Sequence, residues 1–320
     1  MLELFQQGRA MTITRRQFVT TAAISGAGAA LAHPADAAPE SIAFLLVGDW
    51  GRHGRHHQGW VADQMGRTAQ AVNSQFVVSV GDNFYENGVD SVSDLQWQSS
   101  FEDVYTASSL QTPWRVILGN HDYRGNVQAQ LDYSRQSQRW RMPARYYSDV
   151  VALPGGAKAA FYYLDTSPFI QKYYGSRVRV EGQDSQAQLD WLEAKLAASK
   201  AEWNIVIGHH PIYTAHPPEL EHDHDQPDLI ARLNPILQKH NVPIYICGHD
   251  HVLQAVKMDN ISYVCTGAGS ETYQPGTAIR GGFLSGAHGF MVVRLSGQRL
   301  DYSLVDETGA ALYSQSIIRT

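Results

Sequence analysis

Five short apolar runs in this sequence each end in glycine, and each is followed by side chains that bind metal ions or move protons. The runs are IAFLLVG, FVVSVG, RVILG, NIVIG and IYICG. The side chains that follow them are Asp49; Asp82 and Tyr85; Asn120, His121 and Asp122; His209 and His210; and His249, Asp250 and His251. One such end could be a loop cap or a satisfied polar residue. Five ends built in the same way indicate one shared site.

These side chains provide more ligands than a single tetrahedral zinc ion uses. Oxygen donors follow the first three runs, and imidazoles follow the last two. Such a set suits two metal ions about 3.5–4 Å apart, the arrangement with which hydrolases hold the attacking and the leaving oxygen. Asp82 could bridge two cations through its two oxygens, and His249 and His251 have the spacing to reach neighbouring metals. The sequence therefore predicts a dinuclear metal site.

The apolar runs also predict the elements that position this site. Runs this short and this continuously apolar are typical of strands buried on both faces of a sheet. A helical pattern covers residues 184–200, where Ser185 and Gln188 give a capping-box pattern. A second covers residues 229–238 and is interrupted by Pro235. Strands alternating with helices predict an α/β fold with parallel strands, whose carboxyl ends gather ligands at one edge.

Beyond residue 258 the sequence no longer alternates between strand-like and helix-like segments. The runs NISYVCTGAG, GFMVVRLSG, RLDYSLVDETG and ALYSQSII look like successive antiparallel strands, and we expect them to form a second sheet packed against the first. A chain of 320 residues could hold one large domain or two small ones. Because neither a repeat nor a linker is visible, we expect residues 38–320 to form a single catalytic domain.

The composition narrows the class of protein. A formal net charge of −6 argues against nucleic-acid binding through a broad basic face. With 43% hydrophobic and 18% charged residues, the chain can bury a large core. Its two cysteines, Cys247 and Cys265, lie in strand-like apolar runs. We expect both to be buried and structural, with a single disulfide as the alternative.

The N-terminal residues are typical of an export signal. Arg15 and Arg16 precede an alanine- and glycine-rich run that is too short and too weakly apolar for a transmembrane helix. The stretch TRRQFV resembles a twin-arginine signal. We therefore expect residues 1–37 to be such a signal and the protein to be periplasmic or secreted, without stable membrane insertion. The alternative is a tail that holds two arginines by chance.

The five motifs together carry a family resemblance. The ordered set GD, GDxxY, GNH, GHH and GHDH resembles that of the calcineurin-like metallophosphoesterases, and the tyrosine of the second motif points to the purple acid phosphatases. The resemblance is closest to the small tartrate-resistant type and covers most of residues 42–306. It implies a four-layer α/β/β/α sandwich of two mixed sheets flanked by helices. It also implies an acid phosphatase that cleaves phosphate monoesters with a hydroxide activated by a dinuclear Fe(III)–M(II) centre.

The resemblance assigns seven metal ligands. Fe(III) would be held by Asp49, Tyr85 and His251, a second divalent ion (Fe, Zn or Mn) by Asn120, His209 and His249, and Asp82 would bridge the two. The chemistry of the tyrosine agrees with this assignment. A phenol is a poor ligand unless a strong Lewis acid deprotonates it, so Tyr85 favours a trivalent ion.

The resemblance also implies two histidines that act on the substrate. His121 would orient the phosphate and assist proton transfer to the leaving alkoxide. His216 is the first choice for the second histidine, ahead of His222 and His224 in the same segment. The expected partners are a small phosphomonoester and the inorganic phosphate product, and the expected state is a monomer. The neighbours expected to hydrogen-bond around the ligands are Asp122, His210 and Asp250.

Two alternatives remain open from the sequence. One is a phosphodiesterase or nucleotidase with a Mn or Zn pair, against which Tyr85 counts because that branch usually has no ligand tyrosine. The other is a non-catalytic metal-binding protein that uses the histidine-rich segment 216–224. It predicts metal uptake without turnover of p-nitrophenyl phosphate.

Overall fold

The structure, a computed structural model, describes residues 41–217 and 225–319. The strands are β1 Ile42–Val47, β2 Ser74–Ser79, β3 Trp114–Val116, β4 Trp140–Arg141, β5 Tyr147–Ala152, β6 Lys158–Tyr163, β7 Trp203–Ile207, β8 Ile244–Cys247, β9 Leu253–Met258, β10 Ile261–Thr266, β11 Phe283–Ser285, β12 Gly289–Leu295, β13 Arg299–Asp306 and β14 Ala311–Ile318. The α-helices are α1 Gln58–Val72, α2 Val127–Tyr133, α3 Ser185–Ala198, α4 Pro227–Arg232 and α5 Asn234–Lys239. Shorter helical turns cover Trp97–Glu102, Ser108–Leu110, Asp122–Arg124, Pro154–Gly156, Ser167–Phe169 and Gln171–Tyr173.

The strands form two mixed sheets of seven. The first has the order β14-β13-β12-β1-β2-β3-β4, and the second has the order β11-β9-β10-β8-β7-β6-β5. Strands β1 to β4 are parallel in the first sheet, and β6, β7, β8 and β10 are parallel in the second. The two mixed sheets with flanking helices confirm the expected α/β sandwich.

The placement of the C-terminal strands differs from the prediction. β12, β13 and β14 do not form a separate sheet but extend the first one, because β12 pairs antiparallel with the free edge of β1. β10 lies instead inside the second sheet, between β8 and β9. Both β10 and β12 are buried almost throughout, so each needs a neighbour on both sides. The strand pattern was therefore correct and the assignment to sheets was wrong.

Apolar side chains fill the space between the two sheets. Ile42, Phe44 and Leu46 alternate along β1 and share a core cluster with residues of the second sheet. Phe44 stacks on Phe76 at 4.7 Å and meets the edge of Phe161, from β6, at 5.4 Å. Burying each such side chain stabilises the fold by about 1.5–3 kcal/mol. This packing fixes the two sheets relative to each other, and with them the loops at their ends.

Helices cover the outer faces. α1 packs against β1 and β2. Trp191 of α3 lies against Tyr162 of β6 with ring centres 6.5 Å apart. α3 begins close to the predicted residue, but its cap is Asp184, whose carboxylate accepts from the amide of Ala187. The predicted Ser185–Gln188 capping box was wrong, since the Gln188 side chain bonds the backbone of Asp165 instead.

Several smaller predictions can be compared with the structure. The pattern over 229–238 forms two short helices, α4 and α5, which meet at Leu233 beside Pro235. Cys247 and Cys265 are both buried and free. Among the described residues, no helix is long and apolar enough to cross a membrane. The predicted signal, residues 1–37, lies outside the described residues.

Candidate metal centre

The five predicted strand ends meet at one edge of the sandwich. β1, β2 and β3 lead into the loops of Asp49, Asp82 and Asn120, while β7 and β8 lead into those of His209 and His249. The first sheet therefore supplies the oxygen donors and the second supplies the imidazoles. Backbone bonds join these loops across the sheets, including Gly48 N–H to the Thr266 carbonyl at 2.9 Å.

Three of the candidate ligands lie in unusual backbone turns. Asp49, Asp82 and His249 have φ values of 60°, 49° and 70°, in the left-handed region that non-glycine residues rarely adopt. The sharp turns direct their side chains inward at the ends of the strands, where all three are buried or nearly so. Strained backbone of this kind concentrates at functional sites.

Asp49, Tyr85 and His251 form a first group of ligand atoms. The Tyr85 hydroxyl lies 3.0 Å from Asp49 Oδ1 and 2.9 Å from His251 Nε2. His251 Nε2 lies 3.6 Å from the same Asp49 oxygen. These three atoms come from three loops and converge on one point, as ligands of a single ion must.

Asn120 and His209 form a second group, with His249 beside them. His209 Nε2 lies 3.3 Å from Asn120 Oδ1, and its Nδ1 lies 2.9 Å from the Val80 carbonyl, which orients the ring. The His249 ring centre is 5.2 Å from that of His209. An amide oxygen and imidazole nitrogens together suit a divalent transition metal.

Asp82 lies between the two groups. Its Oδ2 is 3.2 Å from the Tyr85 hydroxyl, and its Oδ1 is 3.5 Å from His209 Nε2. The backbone amide of His121 also donates to Oδ1 at 2.7 Å. One carboxylate thus presents one oxygen to each ligand group, the geometry that a bridging ligand requires.

The electrostatics of the site fit bound cations. Burial raises the pKa of Asp49 well above its ordinary value, with the Asp82 charge adding to the effect. Burial opposes ionisation of Asp82 too, but the neighbouring His209 and His121 outweigh it and hold the pKa of Asp82 well below the ordinary value. Burial lowers the pKa of His251 to about 4, so its lone pair is free for a metal. Burial opposes protonation of His209, but the neighbouring Asp82 outweighs it and raises the pKa of His209 to about 9, so a metal ion bound there would take the place of this proton.

Tyr85 needs such a charge to act as a ligand. Burial, followed by the charges of Asp49 and Asp82, raises the pKa of Tyr85 well above its ordinary value. The hydroxyl therefore donates to the carboxylates in the structure. A strong Lewis acid is the group that would remove this proton, so the donor set fits a hard, highly charged metal ion.

The residues beside the candidate ligands hydrogen-bond around them, as predicted. Asp122 accepts from the amides of Gly119 at 2.8 Å and Asn83 at 3.1 Å, which joins the loops after β2 and β3. His210 uses both ring nitrogens, one with Thr166 at 2.8 Å and one with Tyr173 at 2.9 Å. Asp250 accepts from Gln254 at 2.9 Å. These bonds fix the positions of the loops that carry the ligands.

The two predicted substrate histidines occupy different positions. His121 has its Nδ1 2.8 Å from both the Glu86 carbonyl and the Arg124 guanidinium, and its Nε2 lies 3.9 Å from Asp82. His216 is buried, and its ring centre lies 5.7 Å from that of Tyr273, which in turn stacks 6.2 Å from His251. The other two candidates for the second histidine, His222 and His224, lie outside the described residues.

The sequence reasoning missed a cation at the site. The Arg52 guanidinium lies 3.9 Å from the centre of the Tyr85 ring and pairs with Glu86 at 2.7 Å and Glu271 at 3.0 Å. The sequence offered one indication that Arg52 lies near the metal ligands, because it follows Asp49 by only three residues. Only the fold brings Glu271 to the same point.

Comparisons with known proteins agree with this geometry. The family model described as calcineurin-like phosphoesterase matches residues 42–253. Purple acid phosphatase 4 of Arabidopsis thaliana is 37% identical over 290 residues, covering 85% of this chain and 82% of its own length. Human tartrate-resistant acid phosphatase type 5 is 32% identical over 311 residues, covering 89% and 93%. GAP50, described as the anchor in the inner membrane complex of Plasmodium, has the same fold, with a TM-score of 0.76 at 24% identity over 88% of this chain and 90% of its own. The chain therefore belongs to the calcineurin-like phosphoesterases and, within them, to the purple acid phosphatases.

Proposed function

We propose that this enzyme is an acid phosphatase that hydrolyses small phosphomonoesters at an iron-containing dinuclear centre and releases inorganic phosphate. One observation carries the proposal. The two oxygens of Asp82 face two separate groups of ligand atoms, at 3.2 Å and 3.5 Å. A pair of ions held in this way is the arrangement used for phosphoryl transfer to water.

The ligands divide between the two positions according to their chemistry. Fe(III) is assigned to the group that contains the phenol, which consists of Asp49, Tyr85 and His251. The divalent ion is assigned to the group that contains the amide, which consists of Asn120, His209 and His249. Asp82 belongs to both groups. The second ion is Fe, Zn or Mn, all of which bind imidazole and amide oxygen. A neutral amide beside two imidazoles brings no negative charge, which matches an ion of lower charge.

The chain's own residues supply substrate orientation and proton transfer. A bound metal pair supplies positive charge for the phosphoryl oxygens and makes water more acidic. The Arg124 guanidinium donates to His121 Nδ1 at 2.8 Å, which leaves the hydrogen of the neutral ring on Nε2, 3.9 Å from Asp82, and we place this nitrogen toward the substrate. From there Nε2 donates a hydrogen bond to the phosphate and a proton to the leaving oxygen. His216, in the segment after β7, is the proposed second histidine.

Tyr85 separates this function from its nearest alternative. A phosphodiesterase or nucleotidase with a Mn or Zn pair has no use for a phenol placed 2.9–3.2 Å from a carboxylate and an imidazole that bind metal. A non-catalytic metal-binding protein does not require the complete ligand set at all five strand ends. A phosphatase with an iron-containing metal pair requires Tyr85 as well as the ligands at all five strand ends.

The decisive experiment is visible absorption combined with turnover. Protein purified without chelator should show a broad purple-to-pink band, contain iron, and hydrolyse p-nitrophenyl phosphate. Tyr85→Phe should abolish the band, whereas Tyr147→Phe, at a half-buried tyrosine that donates to the Val116 carbonyl, should keep it. A colourless, iron-free and fully active enzyme would overturn the iron assignment and leave the phosphoesterase. Metal uptake without turnover would support the metal-binding alternative.

We also propose that residues 1–37 are a twin-arginine-type export signal and that residues 38–320 form the single catalytic domain. The exported enzyme then works as a monomer in the periplasm or outside the cell. The paired arginines Arg15 and Arg16 and the small residues near Ala37 support the signal. Fusing residues 1–37 to a reporter that folds before export tests it. Replacement of both arginines by lysine should retain the reporter in the cytoplasm, and unchanged export would refute the proposal.

A further inference from the structure

A second cluster of potential metal ligands shares no residue with the dinuclear centre. His57 immediately precedes α1, His288 immediately precedes β12, and Glu307 follows β13. We propose that His57, His288 and Glu307 bind one zinc ion, a third metal site. The three residues come from three separate segments, and His57 and Glu307 are 250 residues apart along the chain.

The ligand atoms of this cluster already lie close together. One ligand atom from each residue lies within 4.8 Å of the other two. His57 Nδ1 is 2.8 Å from Glu307 Oε2, and the two imidazole rings stack with centres 3.6 Å apart and planes 2° apart. The amide of Glu307 donates to the carbonyl of His288 at 2.9 Å, which fixes these two residues relative to each other. The fold therefore brings the three side chains together before an ion is bound.

The hydrogen bonds around His288 leave one of its nitrogens free to coordinate. The Thr272 hydroxyl donates its single hydrogen to the Gly286 carbonyl at 2.8 Å, so it accepts in its 3.1 Å contact with His288 Nε2. His288 therefore carries its hydrogen on Nε2, and Nδ1 holds the lone pair. Burial, followed by the neighbouring His57, lowers the pKa of His288, which keeps the ring unprotonated. An oxygen that accepts from the second ring nitrogen, as Thr272 does here, fixes the tautomer and the orientation of a metal-binding histidine.

The ligand types select the class of metal. Two imidazoles and one carboxylate suit zinc and the neighbouring late transition metals, whereas magnesium and calcium prefer oxygen ligands alone. Three protein ligands leave a fourth position for water. The side chains of His57 and Glu307 are 36% and 23% exposed, so an ion can reach them from solvent.

Binding requires one defined rearrangement. The lone pairs of stacked imidazoles lie in parallel planes and do not point at a common centre. One ring must therefore turn about its Cβ–Cγ bond, which separates the stacked pair. Trp60, which is 62% exposed, has its ring centre 4.6 Å from that of His57 and should report the change. The bound ion would join the start of α1 to the β12 and β13 region and stabilise the folded chain.

The test uses the enzyme with its dinuclear centre filled. Zinc is titrated into it by calorimetry, and one equivalent beyond the resident metals should bind. His288→Gln and Glu307→Gln should each weaken this step at least about tenfold. His56→Gln, an exposed histidine next to the cluster, should not change it. Turnover of p-nitrophenyl phosphate should be the same in all of these proteins.

A fluorescence titration with Cu²⁺ provides an independent measurement. The metal should quench Trp60 in the wild-type enzyme, and the quenching should be lost in Glu307→Gln and in the Trp60→Phe control. The thermal midpoint of each variant without added metal shows whether it is folded. The proposal fails if the wild-type enzyme binds no extra equivalent of zinc. It also fails if zinc binding is unchanged in both His288→Gln and Glu307→Gln. The cluster would then be only a stacked pair of histidines with one ion pair.

Discussion

Replacing Gly119 by alanine tests whether the exact position of the bridging carboxylate controls catalysis. Gly119 precedes Asn120 and packs directly against the loop that carries Asp82. A Cβ atom added to Gly119 would lie 2.2 Å from Asp82 Oδ1 and 2.3 Å from the Asp82 backbone nitrogen. Both atoms belong to a buried, tightly held residue, so they cannot turn away as the end of a flexible side chain would.

The size of the effect follows from these distances. Ordinary contact begins at 3.4 Å, so the carboxylate or the loop has to shift by about 1.2 Å. A misplacement of about 1 Å in a catalytic arrangement costs roughly a hundredfold in rate. Crowding in a packed region also destabilises a protein by about 1–3 kcal/mol. Gly119→Ala should therefore fold and lose about two orders of magnitude in kcat.

The assay compares kcat for p-nitrophenyl phosphate with metal content and with the visible spectrum. Gly155→Ala is the matched control, because a Cβ at Gly155 meets no atom within 4 Å and the only penalty comes from its φ of 78°. That penalty is about 1–2 kcal/mol of stability and should leave kcat unchanged. Wild-type kcat and metal content in Gly119→Ala would refute the reasoning, since the Asp82 carboxylate would then tolerate displacement.

Three further predictions address residues around the site. Arg52→Gln removes the cation 3.9 Å from the centre of the Tyr85 ring, so the visible band should move to longer wavelength. Arg52→Lys should restore the band position in part. An unchanged band in Arg52→Gln would show that this cation does not act on Tyr85. Burial raises the pKa of Asp165 to about 7, so the folded protein loses up to about 4 kcal/mol of stability as the pH rises from about 4 to 7. The thermal midpoints at pH 5 and pH 8 should therefore differ less in Asp165→Asn than in the wild type. Equal differences in the two proteins would refute this prediction. Asn83→Ala removes the amide that donates to the Ile117 carbonyl at 2.8 Å and should cost about 1–3 kcal/mol in urea unfolding, whereas an unchanged midpoint would mean that water replaces the bond.

The sequence predicted the position of the candidate ligands better than it predicted the sheets. Each ligand follows a short apolar run that ends in glycine, and parallel strands place their carboxyl ends on one edge whatever their order. The order itself depends on pairing between distant segments. β12 could have extended either sheet, and only side-chain packing of the complete chain selects the edge of β1.

Contacts made across the fold were also beyond the sequence. The capping box at Ser185 and Gln188 was a valid local pattern, but the structure uses Gln188 to hold Asp165, a residue 23 positions earlier. Arg52 was passed over because its partner Glu271 lies in the last third of the chain. Local patterns predict local structure, and long-range polar contacts add constraints that override them.

The division of the ligands between the two sheets links metal binding to the packing of the core. The first sheet carries Asp49, Asp82 and Asn120, and the second carries His209, His249 and His251, so each proposed ion takes ligands from both. The metal pair thus acts as a cross-link between two layers that also meet through the apolar interface and through backbone bonds between their loops. By thermodynamic linkage, a substitution in that interface that changes the spacing of the sheets must change metal affinity, and metal loading must stabilise the interface by the same free energy.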